Sequence, residues 1–324
     1  MKKTLIALAL VAGLTSFAGS AKAKVLDAAI TTSTYSGLVS FNADGSTNVI
    51  TTSGLSLPNS PTALAFDSTG NLFIGTAGGT IRQMTPDGTV SYFSQSFLGA
   101  GSLNGVNGLA FNSSGKLFAS ITTSVYSGLV SFNADGSTNA ITTSGVSLPS
   151  QPTALAFDPT GNLFVGSAQG GIRKMTPDGT VSMFSQSFGG TGSLNGVNGL
   201  AFNSSGTLFA SITTSAYKGL VSFNPDGSTN VITTSGVSLP NTPTALAFDS
   251  TGNLFIGGTS GAIREMTPDG TVSYFSQSFI GTGSLNGVNA LAFQPQSVPE
   301  PSTYALFGIG AIGMLMVLRR KKTA

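Results

Sequence analysis

Residues 61–74 read Pro-Thr-Ala-Leu-Ala-Phe-Asp-Ser-Thr-Gly-Asn-Leu-Phe-Ile, two short apolar runs on either side of a polar turn. From Pro61 to Phe66 the side chains alternate, Leu64 and Phe66 to one side and Ala65 to the other, as in a strand packed beside a crowded axis. Asp67-Ser68-Thr69-Gly70 is a turn, because Asp bonds its own backbone and Gly accepts positive φ. Leu72 to Ile74 then gives a second strand, Thr80 to Thr85 a third, and Pro86-Asp87-Gly88 a tight hairpin into Thr89 to Phe93. Four strands fit in this one copy.

The same grammar recurs along the chain. Leu-Ala-Phe stands at 64–66, 109–111, 155–157, 200–202, 246–248 and 291–293, spaced 45 or 46 residues apart. Gly-Leu-Val-Ser-Phe-Asn recurs from Gly37, Gly128 and Gly219, 91 residues apart, so the copies come as three pairs. Asp-Gly closes a third-to-fourth strand hairpin in each, at Asp44, Asp87, Asp135, Asp178, Asp226 and Asp269. A four-stranded unit of about 45 residues has the length of a propeller blade. The first copy starts at its second strand, since Ala29-Ile30-Thr31-Thr32 aligns with Ser120-Ile121-Thr122-Thr123, and the sixth Leu-Ala-Phe ends the array. Each fragment supplies what the other lacks, and joining them removes two open sheet edges. The expectation is an all-β, six-bladed β-propeller of four-stranded blades over residues 24–297, closed by a C-terminal innermost strand that completes the first blade.

The two ends carry a different kind of signal. Lys2 and Lys3, the apolar run Leu5 to Leu14, and Ala21-Lys22-Ala23 make residues 1–23 a signal peptide, for removal by signal peptidase before Lys24. Residues 298–324 combine a Pro-Glu-Pro motif over 298–302, an uncharged stretch over 303–318 that reads as a single transmembrane helix, and a basic cluster over 319–322. Its apolar part, Tyr304 to Leu318, falls short of the ~20 residues of a stable span, which fits a helix removed after sorting. Half of the fourteen basic residues lie in these ends. Between 24 and 297, seven Lys/Arg face eleven Asp/Glu, a net charge of −4 that argues against nucleic acid as a partner. With no Cys in the chain, stability must come from packing and strand pairing.

Val298-Pro299-Glu300-Pro301-Ser302, then an apolar helix, then Arg319, Arg320, Lys321 and Lys322, resemble in that order the PEP-CTERM sorting tail of Gram-negative bacteria. The resemblance implies an exosortase-type sorting enzyme as partner, a transient inner-membrane anchor, and a destination at the cell surface or in the extracellular matrix. Over residues 25 to 293 the copies, with Pro-x-x-Leu-Ala-Phe-Asp, Gly-Asn-Leu-Phe, Ile-Arg and Pro-Asp-Gly, resemble NHL-type propeller repeats. That resemblance implies a fold and leaves function to the sites on it.

The chain has no His and no Cys, so the usual general base, thiol nucleophile and imidazole metal ligand are missing. The virginiamycin B lyase family, similar in repeat style, relies on a catalytic His. Gluconolactonase-like propellers need acidic metal ligands at the channel mouth, whereas Glu265 is the only Glu within the blades. Asp67, Asp158 and Asp249 fall in first-to-second strand turns, and the six Asp-Gly residues in hairpins, where Asp bonds backbone. No catalytic residue, metal or cofactor is expected, and the chain reads as a binding or matrix protein that is no enzyme. A metal-dependent lactonase, lyase or glycan hydrolase using turn Asp residues is the alternative, and a scaffold for protein partners a third.

The candidate ligand site is polar and uncharged. Two residues before each Leu-Ala-Phe leucine stand Thr62, Asn107, Thr153, Asn198, Thr244 and Asn289, which closure arranges as an alternating ring at the channel mouth. The loops Gly-Ser-Leu-Asn-Gly-Val-Asn from 101, 192 and 283 should lie on the same face. Such amides and hydroxyls suit exopolysaccharide or another surface polymer, and capping of strand ends is the competing role. Arg82, Arg173 and Arg264 each follow a buried Ile and are expected to be solvated or paired between blades.

Overall fold

A computed structural model describes residues 25–31, 36–95, 105–123, 126–186, 196–214, 217–276 and 287–295. They form six sheets, one per blade, and contain no helix. The signal peptide, the sorting motif from Val298 to Pro301, the C-terminal helix and Arg319 and Arg320 lie outside the described residues.

Blade 1 is built from both ends of the array. Its innermost strand is Gly287–Phe293, followed outward by Leu26–Thr31, Ser36–Phe41 and Thr47–Asn48. Leu26 pairs with Phe293 and Ala28 with Leu291 in antiparallel register, so the last strand completes the first blade and the ring is closed. Blade 2 runs outward through Pro61–Phe66, Leu72–Thr76, Ile81–Met84 and Thr89–Ser94, and blades 3 to 6 repeat the pattern. The even blades go beyond the four expected strands. Ser53–Gly54, Ser144–Gly145 and Ser235–Gly236 each pair in parallel with the outermost strand of the blade that follows, giving blades 2, 4 and 6 a fifth strand. A two-residue strand has no alternation to read, and this one covers an edge that would otherwise be open.

The core lies between the blades. Six clusters of buried apolar side chains fill the six interfaces. In blade 2, Ala63 and Ala65 face blade 3 while Leu64 packs toward blade 1, so one strand's alternation supplies two interfaces. The interfaces themselves alternate in chemistry. Between blades 2 and 3, Phe73 meets Phe93 and Phe111 edge-on at 4.8 and 5.0 Å, and Phe164 and Phe255 repeat this between blades 4 and 5 and across the closure. The other three interfaces rest mainly on aliphatic side chains such as Leu72 and Ile74, and two of them add a single aromatic pair, Phe118 with Phe157 and Phe209 with Phe248. Gly75 sets the spacing, because a Cβ there would lie 2.5 Å from Val106 Cγ1.

Candidate functional site

The six ring residues share a backbone feature. Pro61 pairs with Thr76 and Ala63 with Gly75, which leaves Thr62 as the extra residue of a β-bulge. The register skips Asn107, Thr153, Asn198, Thr244 and Asn289 in the same way. A bulge turns its extra side chain out of the strand's alternation, and here each one reaches the next blade. Thr62 Oγ1 donates to Val106 O, Thr153 Oγ1 to Val197 O and Thr244 Oγ1 to Val288 O. Asn107 Nδ2 donates to Pro152 O at 2.9 Å, Asn198 Nδ2 to Pro243 O at 3.0 Å and Asn289 Nδ2 to Pro61 O at 2.9 Å. The bonds form one cycle that crosses every blade interface, including both sides of blade 1.

Hydrogen-bond arithmetic then fixes what the ring leaves over. A proline carbonyl only accepts, so the amide atom facing it is Nδ2. Its second hydrogen goes to Thr122, Thr213 or Thr31 Oγ1 at 2.8–2.9 Å. Both donors of each Asn are therefore spent, and among the described residues no donor reaches Oδ1. Asn107, Thr153, Asn198, Thr244 and Asn289 line a cavity of about 100 Å³ at the center of the ring, with no charged residue in its wall. Thr62 is not in the wall and belongs to the ring through its bonds. The loop residues 101–104, 192–195 and 283–286 lie outside the described residues.

The acidic residues read as turn formers sit in turns. Asp67 Oδ1 accepts from the backbone N–H of Thr69 and Asn71, both at 2.9 Å. Burial pushes its carboxyl up, yet these bonds outweigh that and hold it below the usual range. Asp87 and its hairpin counterparts are likewise held low, mainly by a neighboring Thr or Ser hydroxyl. Glu265 accepts a 2.9 Å bond from Asn253 Nδ2. Among the described residues no group of three or more acidic side chains could hold a metal ion. Arg82 and Arg264 are paired within the blade surface: they donate to Ser56 O and Ser238 O and lie over Tyr92 and Tyr274, 5.0 and 4.1 Å from the ring centers.

One residue escaped the reading of the sequence. Asp27 occupies the position that Phe118 and Phe209 hold 91 and 182 residues later, in the strands Leu117–Thr122 and Leu208–Thr213. It is 5% exposed. Burial pushes its carboxyl up to about 6, against the pull of a hydrogen bond from Ser40. Asp27 lines a cleft of about 210 Å³ between blades 1 and 2, at the end of the innermost strands opposite the ring. Aligning the 91-residue units and noting where they disagree would have found it.

Comparison with known proteins bears on both ends of the chain. The PEP-CTERM protein-sorting motif matches residues 297–321, which marks an exported protein processed at the cell envelope by an exosortase-type sorting enzyme. A search of curated proteins by sequence found no match. The fold is similar to a protein of unknown function from Bacteroides caccae, at 14% identity and a TM-score of 0.59, covering 84% of this chain and 99% of that one. It is also similar to virginiamycin B lyase from Staphylococcus aureus (15% identity, TM-score 0.51, 67% of this chain and 70% of that one). A gluconolactonase from Xanthomonas campestris matches at 17% identity and a TM-score of 0.53, over 71% of this chain and 79% of that one. These enzymes overturn the expectation of a chain that is no enzyme. The same architecture carries catalysts at 15% and 17% identity, so the fold by itself does not exclude an enzymatic role. Sequence and fold together establish an exported surface protein, a six-bladed β-propeller followed by a PEP-CTERM sorting tail.

Proposed function

We propose that this exported propeller is a binding or structural component of the cell surface or extracellular matrix that holds a hydroxyl-rich polymer, such as exopolysaccharide, across its axial ring. The observation that carries this reading is the valence left over in the ring. Asn107, Asn198 and Asn289 spend both amide hydrogens inside the protein and keep Oδ1 as an acceptor beside an uncharged cavity. Sugar hydroxyls are donors of the matching kind. A cavity of about 100 Å³ has the volume of roughly three waters, so the polymer lies across the mouth and only single hydroxyls dip in. Three like acceptors suit a repeating chain, whose successive units engage without new diffusional encounters. Delivery follows the two end signals: signal peptidase removes residues 1–23, residues 303–318 anchor the chain transiently in the inner membrane of a Gram-negative cell, and the sorting enzyme acts at the Pro-Glu-Pro motif.

Glycan-array binding by residues 24–297, set beside the Asn107→Ala/Asn198→Ala/Asn289→Ala variant, tests the reading. Loss of polysaccharide retention with the melting transition still cooperative supports it, and unchanged retention removes it. A second reading, a scaffold for a protein partner, is favored by Tyr92, Met183 and Tyr274, which repeat every 91 residues on outermost strands and are 46%, 45% and 53% exposed. Capture of one defined protein, lost in Tyr92→Ala/Tyr274→Ala and without glycan retention, decides for it.

A further inference from the structure

Two of the interblade clefts form a natural controlled comparison. The cleft between blades 5 and 6, of about 300 Å³, has walls of Ile232, Phe248, Leu254 and Met266, with Phe209 and Ser222 facing them. The cleft between blades 1 and 2 repeats those walls as Ile50, Phe66, Leu72 and Met84, keeps the serine as Ser40, and replaces the phenylalanine with Asp27. In the two later units this phenylalanine packs edge-on against a second one, Phe118 against Phe157 at 5.2 Å and Phe209 against Phe248 at 5.1 Å. The fold is thus well served by a ring at this position, and the first unit gives that up for a buried carboxyl. No Lys or Arg is among the described residues lining the cleft. Its other acidic side chain, Asp87, is engaged in its own hairpin by Thr85 and the Thr89 N–H.

We infer that the cleft between blades 1 and 2 is a binding site for a primary ammonium group on an aliphatic stem, with Asp27 as its counter-ion and Ile50, Phe66, Leu72 and Met84 as the walls that take the stem. A buried carboxylate with no cation beside it is costly unless something pairs with it. The apolar walls select an alkyl chain over a hydrated metal ion, and an ammonium supplies the three donors that a carboxylate and the Ser40 hydroxyl can accept. Burial pushes the Asp27 carboxyl up to about 6, so it is ionized at neutral pH and available as a counter-ion. Two sources offer this chemistry: a free alkylamine, or the chain's own amine once the signal peptide is removed. Val25 lines the cleft, and Lys24 is its neighbor in the sequence.

The test is calorimetric titration of the chain beginning at Lys24, tail included, with n-pentylamine and with 1-pentanol as its uncharged match. It is run with a free and with an acetylated N-terminus. Pentylamine binding to either form at pH 8, at least tenfold weaker at pH 4.5 and in Asp27→Phe, with no pentanol binding, supports the site. Binding to the acetylated form alone identifies the chain's own amine as the resident group. Asp27→Phe places the residue of the other two units and is expected to fold, and Asp27→Asn, which keeps the shape without the charge, must lose the same affinity. Equal affinity in Asp27→Phe, pentanol binding as tightly as the amine, or no amine binding to either form overturns the inference.

Discussion

The axial ring and the cleft between blades 1 and 2 lie at opposite ends of the same innermost strands and are built on opposite principles. At the ring all six copies agree: each carries a Thr or Asn on a bulge and ties itself to the next blade. At the cleft one copy departs from the others, with Asp27 where Phe118 and Phe209 stand. Agreement among copies marks what the ring of blades needs in order to stand, and only the valence left after that need is met is free for a ligand. A departure that costs stability needs another reason to be there. The two regions therefore ask for different perturbations.

The largest effect is expected from removing Gly287–Phe293, which breaks both regions together. It deletes Asn289 from the cycle and strips Leu26, Ala28 and Ile30 of their cover, leaving an open edge on Leu26–Thr31. The expected outcome is loss of the cooperative thermal transition followed by circular dichroism.

Changing pH separates the cleft from the ring. Asp27 titrates near 6 when folded against 3.8 when exposed, so protons favor the folded state. The contribution of Asp27 is fully present below pH 4 and declines as pH climbs through 6, by about 3 kcal/mol for a shift of this size. The turn aspartates, held low, act in the opposite sense below their ordinary range. Denaturant unfolding of the wild type and Asp27→Asn between pH 4 and 8 isolates the difference: the declining limb disappears in the variant.

Single substitutions in the ring come next. Asn198→Ala removes the bonds to Thr213 and Pro243 and should cost about 1 kcal/mol per bond lost, with no change in the pH limb set by Asp27. The smallest effect belongs to a site outside both regions. Tyr274→Ala removes the ring under Arg264 at 4.1 Å for about 0.5–1 kcal/mol. Tyr92→Ala, where the separation is 5.0 Å, should cost less.

The blade count, the closure of the ring and the six polar residues were legible because each depends on a period that repeats. The bulges were not, since one inserted residue leaves Leu64 and Phe66 in phase while turning Thr62 out of it. The fifth strands escaped for a related reason: Ser53–Gly54 holds its place by backbone bonds, such as Leu55 N–H to Val90 O at 2.9 Å, and shows no apolar pattern. Asp27 was hidden by the repeats themselves, because a search for what recurs passes over the one position where a copy differs. The expectation that the chain is no enzyme failed because it counted reactive residue types, whereas the fold is shared with a lyase and a lactonase.

The central claim is that the three asparagine oxygens of the ring are equivalent contacts for one polymer. Affinity chromatography on immobilized exopolysaccharide, with one, two and then three of Asn107, Asn198 and Asn289 changed to Ala, tests it most directly. The account predicts a stepwise fall in retention, of similar ratio at each step and independent of which Asn is changed first. Retention that is unaffected by the triple change, or abolished by one particular Asn alone, would contradict it.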